Sequence, residues 1–300
     1  MNMDALLAPC RIVNVTAGRP GREHPPGEPG RGSERSVLAI FWSDEAVPLG
    51  WLVLRGKEIP RVPELTHRAA RPLVPPMTPV TTCGASVSVV VCTRDRPVDL
   101  ANCLSALAAS SRAPEEIIVV DNSPSTPAAR DVVRARPGVR YVPAPEPGLS
   151  RARNAGIANS TGELIVFTDD DALVAPTWLE RLAAPFSDDS VEAVTGLVLP
   201  AELETTAQVV FERLGGFGRG FLRRDYGYDW YTDHRRHGVP VWTIGAGVCM
   251  ALRRSALARL GCFDKRLGAG AAGCSEDSEM WYRILAAGGR CVYEPAAVVR

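Results

Sequence analysis

The sequence predicts an α/β protein whose mostly parallel central sheet is flanked by helices. From residue 87 onward, short β-branched and apolar runs alternate with segments in which apolar residues recur at helical spacing. That alternation is typical of successive strand–helix–strand units. Polar and acidic residues follow several of the runs directly, as they do at the ligand-binding edge of a parallel sheet. Because residues 1–82 lack this pattern, we expect a separate N-terminal region before an α/β domain at 83–300.

The N-terminal region contains three kinds of segment. Residues 18–32 are rich in Gly, Pro, Arg and Glu, a composition typical of a flexible segment. Residues 36–54 hold two apolar runs around a polar turn, which predicts a β-hairpin. Closely spaced prolines between residues 60 and 79 are typical of a stiff, extended linker. None of these segments suggests an activity.

The α/β domain begins with a strand predicted at residues 87–91, followed by a helix with Pro97 at its first position. The remaining predicted strands lie at 117–120, 139–142, 164–167 and 291–293, with an apolar stretch at 248–252. The remaining predicted helices lie at 149–159, near 176–178, at 255–260 and at about 275–287. Three of the strand runs end directly at residues that can carry chemistry.

Composition limits the class of protein. Lys and Arg total 34, and Asp and Glu also total 34, so net charge does not favour nucleic acid or an anionic membrane as a partner. The 8 cysteines are scattered without metal-binding spacing, and we expect reduced thiols. No run approaches the roughly 18 apolar residues of a membrane span, and the start lacks a secretory signal. We therefore expect a cytoplasmic protein without a membrane span, able to lie at the membrane periphery.

An acidic cluster, Asp169-Asp170-Asp171, follows the strand predicted at 164–167. Three adjacent carboxylates repel one another, and a divalent cation or a hydroxyl-rich ligand commonly offsets that repulsion. Such a cation fills its remaining positions with water and diphosphate oxygens. The alternative is a solvated acidic loop or the start of a helix.

Two neighbouring loops are expected to meet this cluster at the same edge of the sheet. Thr93, Arg94 and Arg96 follow the first strand, and Asp121 ends the next one. A carboxylate there can accept hydrogen bonds from a nucleobase, while threonine and arginine can reach ribose or phosphate. The alternatives are a turn-forming role for Asp121 and solvated arginines.

Two helices carry further candidates. Arg153 and Asn154 lie on the helix at 149–159 and can approach the same edge, or they can face solvent. Glu276 and Asp277 open a later helix, where carboxylates commonly act as caps or interact with the helix dipole. In a ligand-binding pocket, such a carboxylate can instead act as a general base that deprotonates a hydroxyl group.

Taken in order, these segments resemble family 2 glycosyltransferases of the GT-A fold. The motifs are VSVVVCTRDR at 87–96, VVDNS at 119–123, LSRARNAG at 149–156, FTDDD at 167–171, GAG at 245–247 and SED at 275–277. The resemblance covers residues 86–300, and the ordered set is far more specific than any single motif.

The resemblance implies a GT-A fold and an inverting transfer from a nucleotide-diphosphate sugar to an acceptor hydroxyl, with Mn²⁺ or Mg²⁺ as cofactor. It implies that Thr93 and Asp121 contact the nucleoside and that Asp277 is the general base. Glu276, the residue before it, is our next candidate for the base. Asp169 and Asp171 would be the two aspartates of a D-x-D motif near ribose and metal. The three consecutive aspartates leave open whether Asp170 or Asp171 contacts the metal. The acceptor is expected to be a small molecule, a glycan or a lipid-linked molecule.

The sequence also departs from that family. Relatives often carry a histidine, sometimes a metal ligand, shortly after a segment like YEPA at 293–296. This sequence ends at Arg300 without one, so we expect either that the chain continues further or that the ligand is absent. The Q-x-x-R-W motif of processive polysaccharide synthases is missing as well, which argues against a polymerising enzyme.

Two alternative functions remain. A sugar-phosphate nucleotidyltransferase would also use a parallel sheet and acidic metal ligands, but residues 92–99 lack the glycine expected in its phosphate loop. A non-catalytic, metal-binding signalling domain would need a lysine at the end of a core strand. Lys57 and Lys265 are the only lysines, and neither ends such a strand.

Overall fold

The structure is a computed structural model that describes residues 10–16, 36–42, 48–54 and 83–300. The flexible segment predicted at 18–32 and the proline-rich linker lie outside the described residues. The described residues group into two units, Met1–Pro79 with Leu199–Leu222, and Val80–Val198 with Arg223–Arg300. The boundary expected between residues 82 and 83 stays a prediction.

The first unit contains a three-stranded sheet of β1 (Cys10–Thr16), β2 (Ser36–Trp42) and β3 (Pro48–Leu54). Strand β2 lies in the middle, antiparallel to β3 and parallel to β1. The predicted hairpin is therefore confirmed as β2–β3, whereas β1 was not predicted. Helix α5 (Thr206–Arg213) belongs to the same unit.

The second unit is built on an eight-stranded sheet of order β6-β5-β4-β7-β10-β8-β11-β9. Its strands are β4 (Val87–Thr93), β5 (Glu116–Asn122), β6 (Val139–Ala144), β7 (Leu164–Asp169), β8 (Val191–Val198), β9 (Arg224–Tyr226), β10 (Met250–Arg253) and β11 (Arg290–Val299). The helices are α1 (Pro97–Ala108), α2 (Ala128–Arg134), α3 (Leu149–Asn159), α4 (Trp178–Ala183), α6 (Tyr228–His234), α7 (Arg254–Leu260) and α8 (Glu276–Ala286). The predicted α/β class with a mostly parallel sheet is confirmed.

Strand direction places the candidate residues together. Strands β6, β5, β4 and β7 are mutually parallel neighbours, so their carboxyl ends lie along one edge. Strand β10 runs antiparallel to both of its neighbours, β7 and β8. Because β4, β5 and β7 end at Thr93, Asn122 and Asp169, the polar residues that follow them meet at that edge.

Helix α3 packs closely on the sheet at Gly156. A Cβ atom at this position would overlap the side chain of Val90, a fully buried residue of β4. The small residues in the LSRARNAG motif therefore allow α3 to approach the sheet behind the cleft edge.

Replacing Gly156 with alanine is expected to destabilise the fold by up to about 2 kcal/mol, because an overpacking cost of about 1–3 kcal/mol is offset only in part by the helix-propensity gain of about 1 kcal/mol. Chemical denaturation measures the change. Gly84→Ala is the matched control, since a Cβ there meets no atom within 4 Å. Equal stability of the two variants would contradict the close packing.

Candidate active site

A cleft of about 350 Å³ opens at the carboxyl ends of β4, β5 and β7. Its lining includes most of the residues singled out from the sequence for donor binding, together with the start of α3 and the glycine-rich loop that precedes α8. The lining residues are Cys92, Thr93, Arg94, Arg96, Asn122, Gly148, Leu149, Ala152, Asp169, Asp170, Asp171, Ala269 and Gly270.

The loop after β4 is tied to the acidic cluster by two side-chain contacts. Thr93 Oγ1 donates to Asp170 Oδ2 at 2.7 Å, inside the protein. Arg96 Nη1 donates to Asp171 Oδ2 at 2.6 Å and lies 3.5 Å from Asp170 Oδ1. Arg94 lines the cleft beside them. The first loop and the acidic cluster therefore form one polar wall, as the sequence predicts.

The loop after β4 contains a residue in the left-handed conformation and is hydrogen-bonded to the loop after β5. Asp95 adopts the left-handed conformation with φ of 57°, which is uncommon outside glycine and small polar residues. Its carboxylate Oδ1 accepts a hydrogen bond from the backbone N–H of Ser125 at 2.9 Å. This bond connects the loop after β4 to the loop after β5, so the two loops hold each other in place at the cleft edge.

The acidic cluster holds its carboxylates in unlike surroundings. Desolvation raises the pKa of the Asp169 carboxyl to about 6; the Arg153 guanidinium opposes this, and the carboxylates of Asp171 and Asp170 add to it. Desolvation also raises the pKa of Asp170, while its hydrogen bond from Thr93 lowers it. Asp170 is buried, whereas 55% of the Asp171 side chain is exposed. Asp170 is thus the buried member of the cluster, bonded to Thr93, and Asp169 and Asp171 flank it in the sequence.

Behind the cleft, Arg153 is buried between two carboxylates. Its Nη1 donates to Glu276 Oε1 at 2.6 Å, and its Nη2 lies 3.7 Å from Asp169 Oδ1. The second separation is longer than a hydrogen bond, so Asp169 keeps lone pairs for another positive partner. Arg153 therefore interacts with the protein interior rather than with solvent.

Asp277 is held at the start of α8 by backbone N–H groups. Its Oδ2 accepts from Gly247 N at 2.9 Å, and its Oδ1 accepts from Ser278 N at 2.6 Å. Gly247 belongs to the GAG segment, so two of the sequence motifs are in direct contact. Asp277 is not one of the lining residues of the cleft.

The glycine-rich loop before α8 packs on the start of α3. Leu149 N donates to Ala269 O at 2.9 Å, and Ser150 Oγ donates to Leu267 O at 2.8 Å. Gly270 has φ of 85° and approaches Gly148 so closely that a Cβ would lie 3.1 Å from the Gly148 Cα. The loop is thus one wall of the cleft.

Asp121 is fully buried beneath the cleft and does not line it. Its Oδ2 accepts a hydrogen bond from the Tyr141 hydroxyl at 2.8 Å, whereas its Oδ1 is buried without a hydrogen-bond partner. Desolvation raises the pKa of the carboxyl, and the bond from Tyr141 lowers it. Leaving a buried acceptor unpaired costs about 1–3 kcal/mol, so this oxygen is suited to a donor that arrives with a ligand.

Asn154 lies apart from the other candidates. Its amide nitrogen donates to Phe263 O at 2.8 Å, and its amide oxygen accepts from Phe263 N at 2.9 Å. Its side chain therefore fastens α3 to the segment after α7. Asn122, which the sequence interpretation did not single out, lines the cleft, and its Oδ1 accepts from Gly148 N at 2.9 Å.

Sequence reasoning missed Tyr141, Asn122 and Gly247 as parts of the site. Asn122 lies in the VVDNS motif and Gly247 in GAG, so the motifs contained them without indicating their partners. Tyr141 lies in a strand of ordinary appearance, and only the fold brings it to Asp121.

The donor set fits a divalent cation only in part. In the portion of the chain that the structure describes, no group of three or more His, Cys, Asp or Glu side chains is arranged to hold a metal ion. Asp169 and Asp171 supply hard carboxylate oxygens at the cleft, and Mg²⁺-type sites commonly use one or two carboxylates and complete the shell with water and substrate phosphates. The residues present therefore fit a cation that binds together with a diphosphate.

Comparison with known proteins gives a consistent picture. Residues 88–261 match the family model described as Glycosyl transferase family 2. The chain is 33% identical over 230 residues to the succinoglycan biosynthesis protein ExoM of Rhizobium meliloti (strain 1021), covering 71% of this chain and 65% of that protein. It is 28% identical over 214 residues to the pre-mycofactocin glycosyltransferase of Mycobacterium tuberculosis (strain CDC 1551 / Oshkosh), covering 71% and 42%.

A solved structure is similar in fold. It is the mannosyltransferase PcManGT from Pyrobaculum calidifontis in complex with GDP-Man and Mn²⁺, with a TM-score of 0.53, 24% sequence identity, and coverage of 73% of this chain and 58% of that one. This chain therefore spans less than two thirds of the length of each of these three proteins.

Proposed function

The chain belongs to glycosyl transferase family 2, and from that premise we propose that it transfers a sugar from a nucleotide-diphosphate sugar to an acceptor hydroxyl. In this proposal the anomeric carbon inverts, a divalent cation is required, and Asp277 is the general base. The acceptor is a small molecule, a glycan or a lipid-linked molecule. The domain that performs the reaction is residues 83–300.

The observation that carries the proposal is the polar wall of the cleft. Thr93, Arg96 and the three aspartates meet at the carboxyl edge of the parallel strands, where α/β proteins bind their ligands. A nucleotide sugar carries a base, a ribose and a diphosphate, and this wall offers carboxylate, hydroxyl and guanidinium groups for each of them.

Asp169 and Asp171 are the residues that would hold Mn²⁺ or Mg²⁺. When bound, the cation would neutralise charge on the diphosphate as the bond to the sugar breaks. Asp170 is assigned to the protein side because it is buried against Thr93. Arg96 contacts Asp171, and in this proposal its guanidinium also orients the donor phosphates.

Asp277 is proposed to remove the proton from the acceptor hydroxyl as that oxygen attacks the anomeric carbon. Both of its oxygens accept backbone N–H groups, which keep the carboxylate in one orientation. Each oxygen retains a further lone pair for the acceptor proton. Attack from the side opposite the leaving diphosphate inverts the configuration at the anomeric carbon.

A cytoplasmic location, at the membrane periphery for a lipid-linked acceptor, is also proposed. All 8 cysteines are among the described residues and are free thiols, as expected in a reducing compartment. No helix in the described part of the chain has the length and apolar character needed to cross a bilayer.

A donor screen tests the function. The purified chain is incubated with UDP-, GDP- and dTDP-sugars in the presence of Mn²⁺ or Mg²⁺, and released nucleoside diphosphate is measured. At least one donor is expected to be consumed in a metal-dependent manner. A folded chain that consumes and binds none of them would contradict the proposal.

Replacing Asp121 with alanine is expected to weaken nucleotide binding by about 1.5–3 kcal/mol, the range for a hydrogen bond to a charged group. Its unpaired Oδ1 is the proposed acceptor for the base. Titration calorimetry measures the affinity, and thermal melting monitors the fold. Tyr141→Phe is the control, because it removes the hydroxyl that bonds Oδ2 and leaves the carboxylate. A variant that unfolds, or one that binds like the parent, would instead support a purely structural Asp121.

A further inference from the structure

The buried guanidinium of Arg153 joins two parts of the site. Only 2% of the residue is exposed. On one side it contacts Asp169, which ends β7, and on the other it donates to Glu276, the first residue of α8, at 2.6 Å. Residues 153 and 276 are 123 positions apart in the chain, so this ion pair is a tertiary connection between the polar wall of the cleft and the helix that carries Asp277.

The surroundings of Arg153 leave it little room to move. Its guanidinium carbon lies 6.0 Å from the ring centroid of Phe167 and 5.5 Å from that of Phe263, distances typical of cation–π contacts. A Cβ added to Gly247 would lie only 2.6 Å from Arg153 Nη2. The backbone N–H of that same Gly247 donates to Asp277 Oδ2 at 2.9 Å.

Arg153 contacts the surroundings of Asp277 in two places. It donates to Glu276 in the first turn of α8, and it packs against Gly247, whose N–H group donates to the Asp277 carboxylate. The N-cap residue of α8, Ser275, makes no side-chain cap hydrogen bond and is in the left-handed conformation with φ of 73°. The start of the helix thus depends on contacts from elsewhere in the fold.

We propose that Arg153 and Glu276 are positioning residues. They hold the Asp277 carboxylate in a fixed position relative to Asp169 at the end of β7. This proposal rests on the proposed function for its catalytic meaning. It also assigns Glu276 a role other than that of base. Glu276 is buried and bonded to a buried guanidinium, so its carboxylate is not open to an acceptor hydroxyl.

Three variants on one helix test the assignment. Glu276→Ala removes the acceptor for Arg153, Glu276→Gln keeps an acceptor oxygen without the charge, and Glu279→Ala removes a first-turn acid that pairs with Arg283 at 2.7 Å. A displacement of about 1 Å in a catalytic group costs about 10²-fold in rate. We expect Glu276→Ala to lose about 100-fold in turnover with donor KM within about threefold, and Glu276→Gln to retain turnover within about tenfold. Glu279→Ala should match the parent.

The relative turnover of the Glu276 variants distinguishes a positioning role from a direct role in the reaction. If Glu276→Gln loses as much turnover as Glu276→Ala, the carboxylate itself acts in the reaction and the proposal is wrong. Parent-like turnover in a folded Glu276→Ala would also overturn it. Should Glu276→Ala fail to fold, Arg153→Lys supplies the test, since lysine keeps the charge but cannot span both carboxylates. Its turnover is expected to fall about 100-fold, and unchanged turnover would overturn the proposal.

Hydrogen exchange provides a readout that does not depend on activity. Amides in the first turn of α8 are expected to exchange at least tenfold faster in Glu276→Ala, or in Arg153→Lys if the former does not fold, and at the parent rate in Glu279→Ala. Unchanged exchange would overturn the positioning role. If the parent consumes no nucleotide sugar, the proposed function fails, while this measurement still decides whether Arg153 and Glu276 fix the start of the helix.

Discussion

Replacing Asp277 with asparagine is expected to lower sugar-transfer turnover by about 10²–10⁴, the usual contribution of positioned proton transfer. The amide has nearly the shape of the carboxylate but cannot take up the acceptor proton. Turnover at saturating donor and acceptor measures the effect, together with the donor KM, which should stay close to the parent value.

Turnover, rather than stability, separates this role from that of a helix cap. Asp277 accepts one backbone N–H at each oxygen, and asparagine has a single acceptor oxygen. One of these bonds is therefore lost, and we expect a fall in stability of about 1 kcal/mol. A cap role alone predicts that loss with turnover largely kept. Glu279→Gln, in the same turn of α8, is the matched control and should keep its turnover.

Replacing Asp169 with asparagine is expected to lower turnover by about 10²-fold or more. Charge neutralisation at the leaving diphosphate is worth several kcal/mol in the transition state, and about 1.4 kcal/mol corresponds to tenfold in rate. Asparagine keeps the volume at the end of β7 but removes the negative charge that would hold the cation. Turnover is measured over a range of Mn²⁺ concentrations, and the variant should need more metal for half-maximal rate.

Asp189→Asn is the control for Asp169→Asn. Asp189 is a fully exposed acid whose nearest arginine nitrogen lies 3.9 Å away, so its loss should change neither rate nor metal requirement. Melting temperatures show whether Asp169→Asn is folded, since it also loses the contact with Arg153. A folded Asp169→Asn with parental turnover and parental metal dependence would remove Asp169 from the metal site.

Strands β4, β5 and β7 of the parallel half of the large sheet could be predicted because each contains a continuous apolar run. Strand β4 is buried along almost all of its length, as strands covered by helices on both faces are, and its sequence is correspondingly rich in valine. The residues after these runs were placed at one edge by topology alone. The acidic cluster and Thr93 are in contact for that reason.

Strand β8 could not be predicted in the same way. Thr195 and Gly196 interrupt its apolar character, and both are required by packing. Thr195 is fully buried and its hydroxyl donates to Ile244 O at 2.6 Å. A Cβ at Gly196 would overlap the Ala297 carbonyl of β11. Thr195 and Gly196 allow β8 to pack between its neighbours, and the same two residues break the apolar pattern by which a strand is predicted.

The surroundings of several site residues could not be predicted because their partners are distant in the sequence. Arg153 and Asn154 are adjacent on α3, yet Arg153 is buried behind the cleft and Asn154 bonds the Phe263 backbone. Helical spacing could not separate them, because their partners lie more than a hundred positions away. Likewise, the motif around Asp121 gave no indication that Tyr141 occupies one of its carboxylate oxygens.

Titration calorimetry of nucleoside diphosphates with the parent chain tests most directly whether this cleft binds a donor through a cation. UDP, GDP and dTDP are each titrated with Mn²⁺ present and again with the metal removed by a chelator. Because Asp169 and Asp171 repel a diphosphate without a cation between them, at least one nucleotide is expected to bind with Mn²⁺ and to lose affinity at least tenfold with the chelator. Equal affinity under both conditions would contradict the metal-dependent donor site.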